Sequence, residues 1–407
     1  VNGSQRSAPI WLMGMSNLTF GLYTGFTTLP LPQLLAAQHV PEARIAAITA
    51  AVIFPGFWSF LLGPVLDVRF SRRWYATVFA ALSGLALTVA LLNQHHVVLL
   101  EWVMMFGYMA GCLSSYALGG WLATIVRRED EAKLGTWTVV AGYGGYGVMS
   151  ILAGELMRAL PLRPAAFLLG ALIVLPTAIF LVMPAPGPDR RLARESFTAF
   201  FGEVVSVVRR REVLVALALF LLPSASFALT NTLGGLGSDF HASERTVSLV
   251  GGSAMTVAGI AGSFLFLPLA RLLPLRPLYL AIGGGGALFT ASLLLLGRNP
   301  TAFGIALAGE NVFQALAFTG TVAICFETIG RNNPLAATQY GLLNSASNLP
   351  IIYMQLIDGR AYGWRGLTGA YLADAGISLA VCGGMGVMLY LTGFAGRTMT
   401  ARAVAES

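Results

Sequence analysis

The sequence predicts an all-α integral membrane protein, twelve transmembrane helices arranged as two pseudo-symmetric six-helix bundles. Three observations lead there. The chain of 407 residues is 56% hydrophobic and only 11% charged, where a soluble domain carries about 25% charged residues. Its charge is gathered into short clusters between apolar runs of roughly 20 residues, the length that crosses about 30 Å of hydrocarbon. The most polar stretch, Pro184 to Arg211, falls near the middle. Helices suit such runs because each satisfies its own backbone hydrogen bonds within lipid.

The expected spans of the first half are 9–37, 42–66, 74–92, 97–126, 134–157 and 164–183. Those of the second are 213–238, 246–270, 276–297, 301–328, 335–357 and 366–393. The division is therefore an N-terminal bundle over 1–183, a linker over 184–212, and a C-terminal bundle over 213–407 that ends in a short tail. A polar stretch leads from Val1 straight into the first span, with no cleavable leader pattern. Pro184, Pro186 and Pro188 end span six, because proline lacks the N–H and restricts its neighbour. Beyond them Phe197, Phe200, Phe201, Val204, Val205 and Val208 recur at three- and four-residue steps, one stripe of a helix. Arg190, Arg191 and Arg194 precede the stripe and Arg209, Arg210 and Arg211 follow it. Two readings fit: a solvated linker, or a helix lying along the membrane surface with its arginines at the headgroups.

Basic residues set the orientation. With the N-terminus inside, the cytoplasmic segments hold Arg6; Arg69, Arg72 and Arg73; Arg127, Arg128 and Lys133; the six linker arginines; Arg271 and Arg276; Arg331; Arg397 and Arg402. That is eighteen of the 25 Lys and Arg. The bias puts both termini and the linker in the cytoplasm of an inner-membrane, multi-pass protein. Cysteines introduced into the linker are expected to resist an impermeant thiol reagent applied outside intact cells. Labelling there as strong as at positions 95 or 241 would overturn the orientation.

Several function classes drop out. The net charge of +7 reflects topology signals, and no basic–aromatic surface suits a nucleic acid. Cys112, Cys325 and Cys382 lie in apolar segments without a CxxC pair, and His39, His95, His96 and His241 sit near span ends. Buried free thiols and no metal centre are expected. The Gly283–Gly286 run has no following Lys-Ser/Thr and is not a phosphate loop. No Ser–His–Asp, HExxH or Walker pattern appears, so neither an enzyme nor a cofactor is expected.

The halves look alike. In each, a long fourth span ends in a charged turn, RREDEAK (127–133) or GRNNP (330–334). A polar fifth span follows, TWTVVAGYGGYG or TQYGLLNSASNLP. Spans three, six and nine are nearly pure apolar and are expected to face lipid. This layout resembles the major facilitator superfamily, which implies a substrate site near the midplane between the halves. The stretch GPVLDVRFSRR (63–73) resembles that superfamily's loop motif Gly-x-x-x-Asp-Arg-x-Gly-Arg-Arg. Gly63, Asp67 and the basic end of the stretch match, whereas Val68 and Phe70 replace the motif's Arg and Gly; Arg72 and Arg73 are the basic gate candidates. The resemblance implies a cytoplasmic gate in which Asp67 faces the start of span eleven. There Asn333 and Pro334 read as N-cap and first helical residue. A charge so placed is worth about 0.3–2 kcal/mol; the alternative is an ordinary solvated turn.

A narrower resemblance rests on ATQYGLLNSASNLP (337–350) and the opening FGLYTGFTTLPLPQLLAAQHVPEARI (20–45). Both are similar to the peptide–acetyl-coenzyme A–drug transporter family, which includes AmpG-type muropeptide permeases, acetyl-coenzyme A transporters and related siderophore permeases. The implied solutes are muropeptides, acyl-coenzyme A esters or siderophores.

Polar residues inside the hydrocarbon are the site candidates. Glu310 lies ten residues past Pro300, roughly 15 Å deep, near the midplane. It is the candidate proton-coupling group, with a structural hydrogen bond between helices as the alternative. Asn311 and Gln314 are placed to bond it. The remaining candidate substrate contacts are Asn17 and Thr24 in span one, Trp58 in span two and Tyr108 in span four. To these span five adds Trp137, Tyr143 and Tyr146, span seven Asn231, and span eleven Tyr340, Asn344 and Asn348. Thr27, Glu101, Ser115 and Ser224 accompany them. Glu155 and Arg158 read as a local ion pair. Asp374, in span twelve, has no sequence-level account. Together these residues predict a monomeric secondary transporter that takes a polar, fairly large organic solute and protons. A transporter-like receptor that binds without translocating is the alternative.

Overall fold

The computed structural model describes residues 8–185, 202, 205–206, 209–331 and 333–391. Among them every regular element is helical. The stripe expected in the linker lies almost wholly outside the described residues.

Eight stretches are long and apolar enough to cross a membrane. The longest, Ala336–Leu391, contains two spans and breaks at Arg365 and Gly366. Gly366 has φ 59° and ψ −151°, backbone that only glycine enters without strain. Span eleven thus continues seven residues past its expected end at 357. Glu131–Ala159 supplies span five, and two further spans are built from pieces. Span one is Ile10–Met15, Leu18–Thr28 and Pro30–Ala37. Span seven is Arg211–Leu221, Leu229–Leu233 and Gly234–Phe240. The continuous helices expected at 9–37 and 213–238 are corrected accordingly. Ser16 donates back to the Met13 carbonyl at 2.5 Å and competes with the helix ladder. Pro223 and the left-handed Phe227, φ 46°, interrupt span seven.

Span starts are explained locally. Asn299 Oδ1 accepts the Ala302 N–H at 2.9 Å while Pro300 opens span ten, Pro300–Ile329. Ser71 accepts from Trp74 and opens span three, Arg72–Leu92. Ser243 does the same for span eight, Glu244–Leu272.

By compactness the chain forms two units, Val1–Val213 with Phe326–Ser345, and Leu214–Cys325 with Ala346–Ser407. The end of span ten and the start of span eleven therefore pack with first-half helices. Between helices in lipid there is little hydrophobic driving force, so close packing and interhelical hydrogen bonds carry association. In the first unit Gly21 of span one lies against Gly142 of span five, where a Cβ would strike backbone. Thr19 donates to the Ile173 carbonyl at 3.0 Å and Thr88 to that of Ala166 at 3.2 Å. Tyr23, Phe26, Leu31, Met104 and Leu169 fill the space between. In the second unit Leu233, Phe240, Phe303, Leu307 and Tyr371 join spans seven, ten and twelve. Large apolar side chains on the outside, such as Ile151 at 69% and Leu295 at 87% exposure, require a lipid surround. Cys112, Cys325 and Cys382 are free thiols.

Candidate functional site

At the end of the first unit that carries most basic residues, Asp67 is buried in a complete set of donors. Arg72 Nε donates to its Oδ1 at 2.8 Å. The Ala337 N–H reaches Oδ1 at 3.1 Å, and the Thr338 N–H and hydroxyl reach Oδ2 at 2.8 and 2.7 Å. A carboxylate at the unsatisfied N–H groups of a helix start is favoured by both hydrogen bonding and the helix dipole. Arg72 Nη2 takes the Asn333 and Pro334 carbonyls at 3.2 and 2.7 Å, so one ion pair grips both sides of the turn. Gly63 is needed for this approach: a Cβ there would lie 3.0 Å from Thr338 Cα. The left-handed residue of the loop is Arg69, φ 71°, and Phe70 stands where the motif has glycine. Phe70 stacks on Trp74 with ring centroids 4.5 Å apart.

One expectation for this corner changes. The helix begins at Ala336, so Asn333 and Pro334 are not its cap and first residue. Asn333 Oδ1 instead accepts from Leu335 N–H at 3.0 Å, and its amide donates to Gln339 at 2.5 Å. Arg73 is half-buried, and the ion pair with Asp67 is made by Arg72. Beneath the pair lies a hydroxyl layer that sequence reasoning missed. Ser59 donates to Tyr116 at 3.2 Å, Tyr116 meets Ser345 at 3.1 Å, and Ser345 donates to the Gly56 carbonyl at 3.2 Å. Asn344 also bonds Tyr116. Tyr340 stacks on Phe326 at 6.1 Å and lies against Gly119.

The same end holds a titratable pair. Glu131 opens span five and is buried beside Glu327. Burial, then the Glu327 charge, pushes its carboxyl up to about 8, against the pull of Arg128 and Arg331. Arg331 Nε also donates to the Val126 carbonyl at 2.9 Å. Because this value lies above the ordinary one, the packed state binds a proton that a solvated Glu131 would release. Its advantage is greatest at low pH and is lost as pH rises from the ordinary carboxylate range through about 8. The melting temperature of the solubilised protein is expected to fall across that window, and Glu131→Gln to flatten the fall. An equal slope in the variant would assign the pH dependence elsewhere.

In the rest of the first unit, the candidates fall into two kinds. Asn17 is committed to helix packing: its amide donates to the Thr138 carbonyl at 3.2 Å, and Ser115 donates to its Oδ1 at 3.4 Å. Thr27 bonds back to Tyr23 at 3.0 Å. Tyr108 is half-buried beside Thr24. It packs edge-on against Phe20 and Tyr23, at 5.9 and 6.2 Å. Trp58, Trp137 and Tyr146 are partly exposed and able to offer faces to a solute, while Tyr143 is buried. Glu101 pairs with Arg44, and Glu155 with Arg158 at 3.1 Å.

In the second unit Glu310 is fully buried. Its Oε1 accepts the Thr290 hydroxyl at 2.5 Å, so span nine, expected to be bland, supplies a polar contact. Asn311 donates back to the Leu307 carbonyl at 2.7 Å, and Gln314 donates to Thr230 of span seven at 2.7 Å. Asn231 is exposed and Asn348 half-buried. Sequence reasoning missed Thr290, Thr230 and Asp358, which is 2% exposed.

Comparison with known proteins fits this architecture. The description of the Major Facilitator Superfamily matches residues 11–354. YceJ of Bacillus subtilis (strain 168), an uncharacterized MFS-type transporter, is 25% identical over 264 residues, 62% of this chain and 63% of the relative. The match spans less than two thirds of that relative's length. The human organic anion transporter TETRAN is similar in fold, with TM-score 0.67 and 17% identity over 94% of this chain and 100% of that one. The E. coli fucose:proton symporter FucP gives TM-score 0.69 and 14% identity over 93% and 98%. Identities this low show the fold alone. The family match, which extends over most of the sequence, shows that the chain belongs to the major facilitator superfamily.

Proposed function

We propose that the chain is a monomeric secondary active transporter of the inner membrane, with both termini cytoplasmic, that works by alternating access and couples to protons at Glu310. The observation that carries this reading is the Glu310 side chain, fully buried in the middle of a span. An ionisable group there is costly and earns its place by moving a proton or a ligand. The Asp67–Arg72 pair on the start of span eleven acts as the cytoplasmic gate, with Arg73 at its rim.

The solute is polar and fairly large, of the muropeptide, acyl-coenzyme A or siderophore class. Trp58, Trp137 and Tyr146 offer stacking faces, and Tyr108, Thr24 and Asn348 offer hydrogen bonds. Among the described residues the buried arginines are Arg72 and Arg276. Arg72 is committed to Asp67, and each of the two arginines stands at the start of its own span, which disfavours a purely multi-anionic ligand.

A thermal-shift screen of the three solute classes on purified protein tests the reading, since a ligand that binds the native state raises apparent stability. Counterflow of the labelled hit in proteoliposomes then separates a transporter from a receptor. Stabilisation with no counterflow would make the chain a receptor.

A further inference from the structure

Glu310 has neighbours that the sequence places on other helices. Asp358 lies seven residues before the break at Arg365, Asp374 eight after Gly366, and Glu310 ten after Pro300. At about 1.5 Å per residue these are depths of roughly 10, 12 and 15 Å from one end, a single layer of the second unit. The three side chains are 2%, 3% and 0% exposed. Glu310 feels both Asp374 and Asp358, and Asp358 feels Asp374. Among the described residues neither oxygen of Asp358, nor Oε2 of Glu310, nor Oδ1 of Asp374 has a hydrogen-bond partner.

A separate observation points to what the layer holds. The Tyr371 hydroxyl, one turn from Asp374 and within electrostatic reach of Glu310, is buried and also lacks a partner among the described residues. The charged groups beyond it are Arg298 and Asp239, and Tyr362 donates to Asp239 at 2.8 Å. No three His, Cys, Asp or Glu among the described residues are arranged to hold a metal ion. Side chains this buried leave the proton as the ligand that needs no cavity. Three unpaired carboxylates would repel one another without solvation, so the layer is stable only with protons on most of its members.

We propose that Glu310, Asp358 and Asp374 form one shared proton site, which holds more than one exchangeable proton on spans ten, eleven and twelve. Each proton arrives from water on one side of the membrane, forms a carboxyl O–H, and leaves to water on the other side. The inference rests on Glu310 being the coupling group and adds its partners, Asp358 and Asp374.

The test is an infrared titration of the carboxylic C=O band against pH, on the full chain in lipid with Glu131→Gln throughout so that its own buried carboxyl does not contribute, for that parent and for Glu310→Gln, Asp358→Asn and Asp374→Asn added to it. Each variant is expected to remove roughly a third of the buried band, and Asp374→Asn to change the midpoint of what remains. A band lost entirely in Glu310→Gln and intact in both aspartate variants would reject the shared site and leave single-proton coupling standing. A band intact in Glu310→Gln would reject the shared site together with the coupling role of Glu310. Tyr371→Phe removes no carboxyl and guards against a folding failure: it should keep the band area and displace its frequency. An undisplaced band counts against the layer.

Discussion

Glu310→Gln is expected to abolish accumulation driven by a pH gradient while leaving binding and exchange of solute intact. Glutamine keeps the shape and can still meet Thr290, which bonds Glu310 at 2.5 Å, but it cannot release a proton. For one proton, a gradient of one pH unit sustains about tenfold accumulation, or 1.4 kcal/mol. The variant should fall to an equal concentration on both sides. Accumulation as steep as the parent's would place the proton on another group, with Asp374 next in line. Glu101, otherwise a rival, is engaged with Arg44. A folded variant that neither binds nor exchanges would make Glu310 a direct solute ligand.

The second large effect concerns Asp67→Asn. The sequence suggests about 0.3–2 kcal/mol for an exposed charge at a helix start. The structure raises this, because Asp67 and Arg72 are 1% and 3% exposed and the carboxylate accepts four hydrogen bonds. Breaking one partner out of a buried pair costs about 3–5 kcal/mol, which shifts a balanced two-state equilibrium by a hundredfold or more. Asp67→Asn should therefore expose a cysteine placed beneath the pair, such as Ser345→Cys at a buried position, to a thiol reagent. Thr338→Val, which removes one of the four bonds, should do so more weakly. Unchanged accessibility in Asp67→Asn would return the loop to the status of a packing turn.

The spans were legible because lipid imposes one rule on all of them, an apolar run of sufficient length. Composition alone does not report where such a run breaks. Span one breaks where Ser16 bonds back to Met13, a competition within the helix that hydropathy averages away. Glu310 stands out because its place ten residues past Pro300 puts an ionisable group near the midplane. Asp358 does not, since it falls one residue past the expected end of span eleven at 357, while the helix continues to the break at Arg365. Asp374 had no partner in sequence because its neighbours lie on two other helices. Tyr116 was passed over beside Tyr108 on the same helix. Only the fold brings Ser59 and Ser345 to its hydroxyl. The loop motif was readable at Gly63 and Asp67, but the role of Arg72 required seeing the Asn333 and Pro334 carbonyls beside it.

The most direct test of proton-coupled transport is solute uptake by the reconstituted parent chain under an imposed pH gradient. The probe is whichever muropeptide, acyl-coenzyme A ester or siderophore stabilises the protein most in the thermal screen. The account predicts accumulation above the outside concentration, collapsing to equality when a protonophore dissipates the gradient. Saturable binding with no uptake, or uptake that stops at equality with the gradient intact, would contradict it.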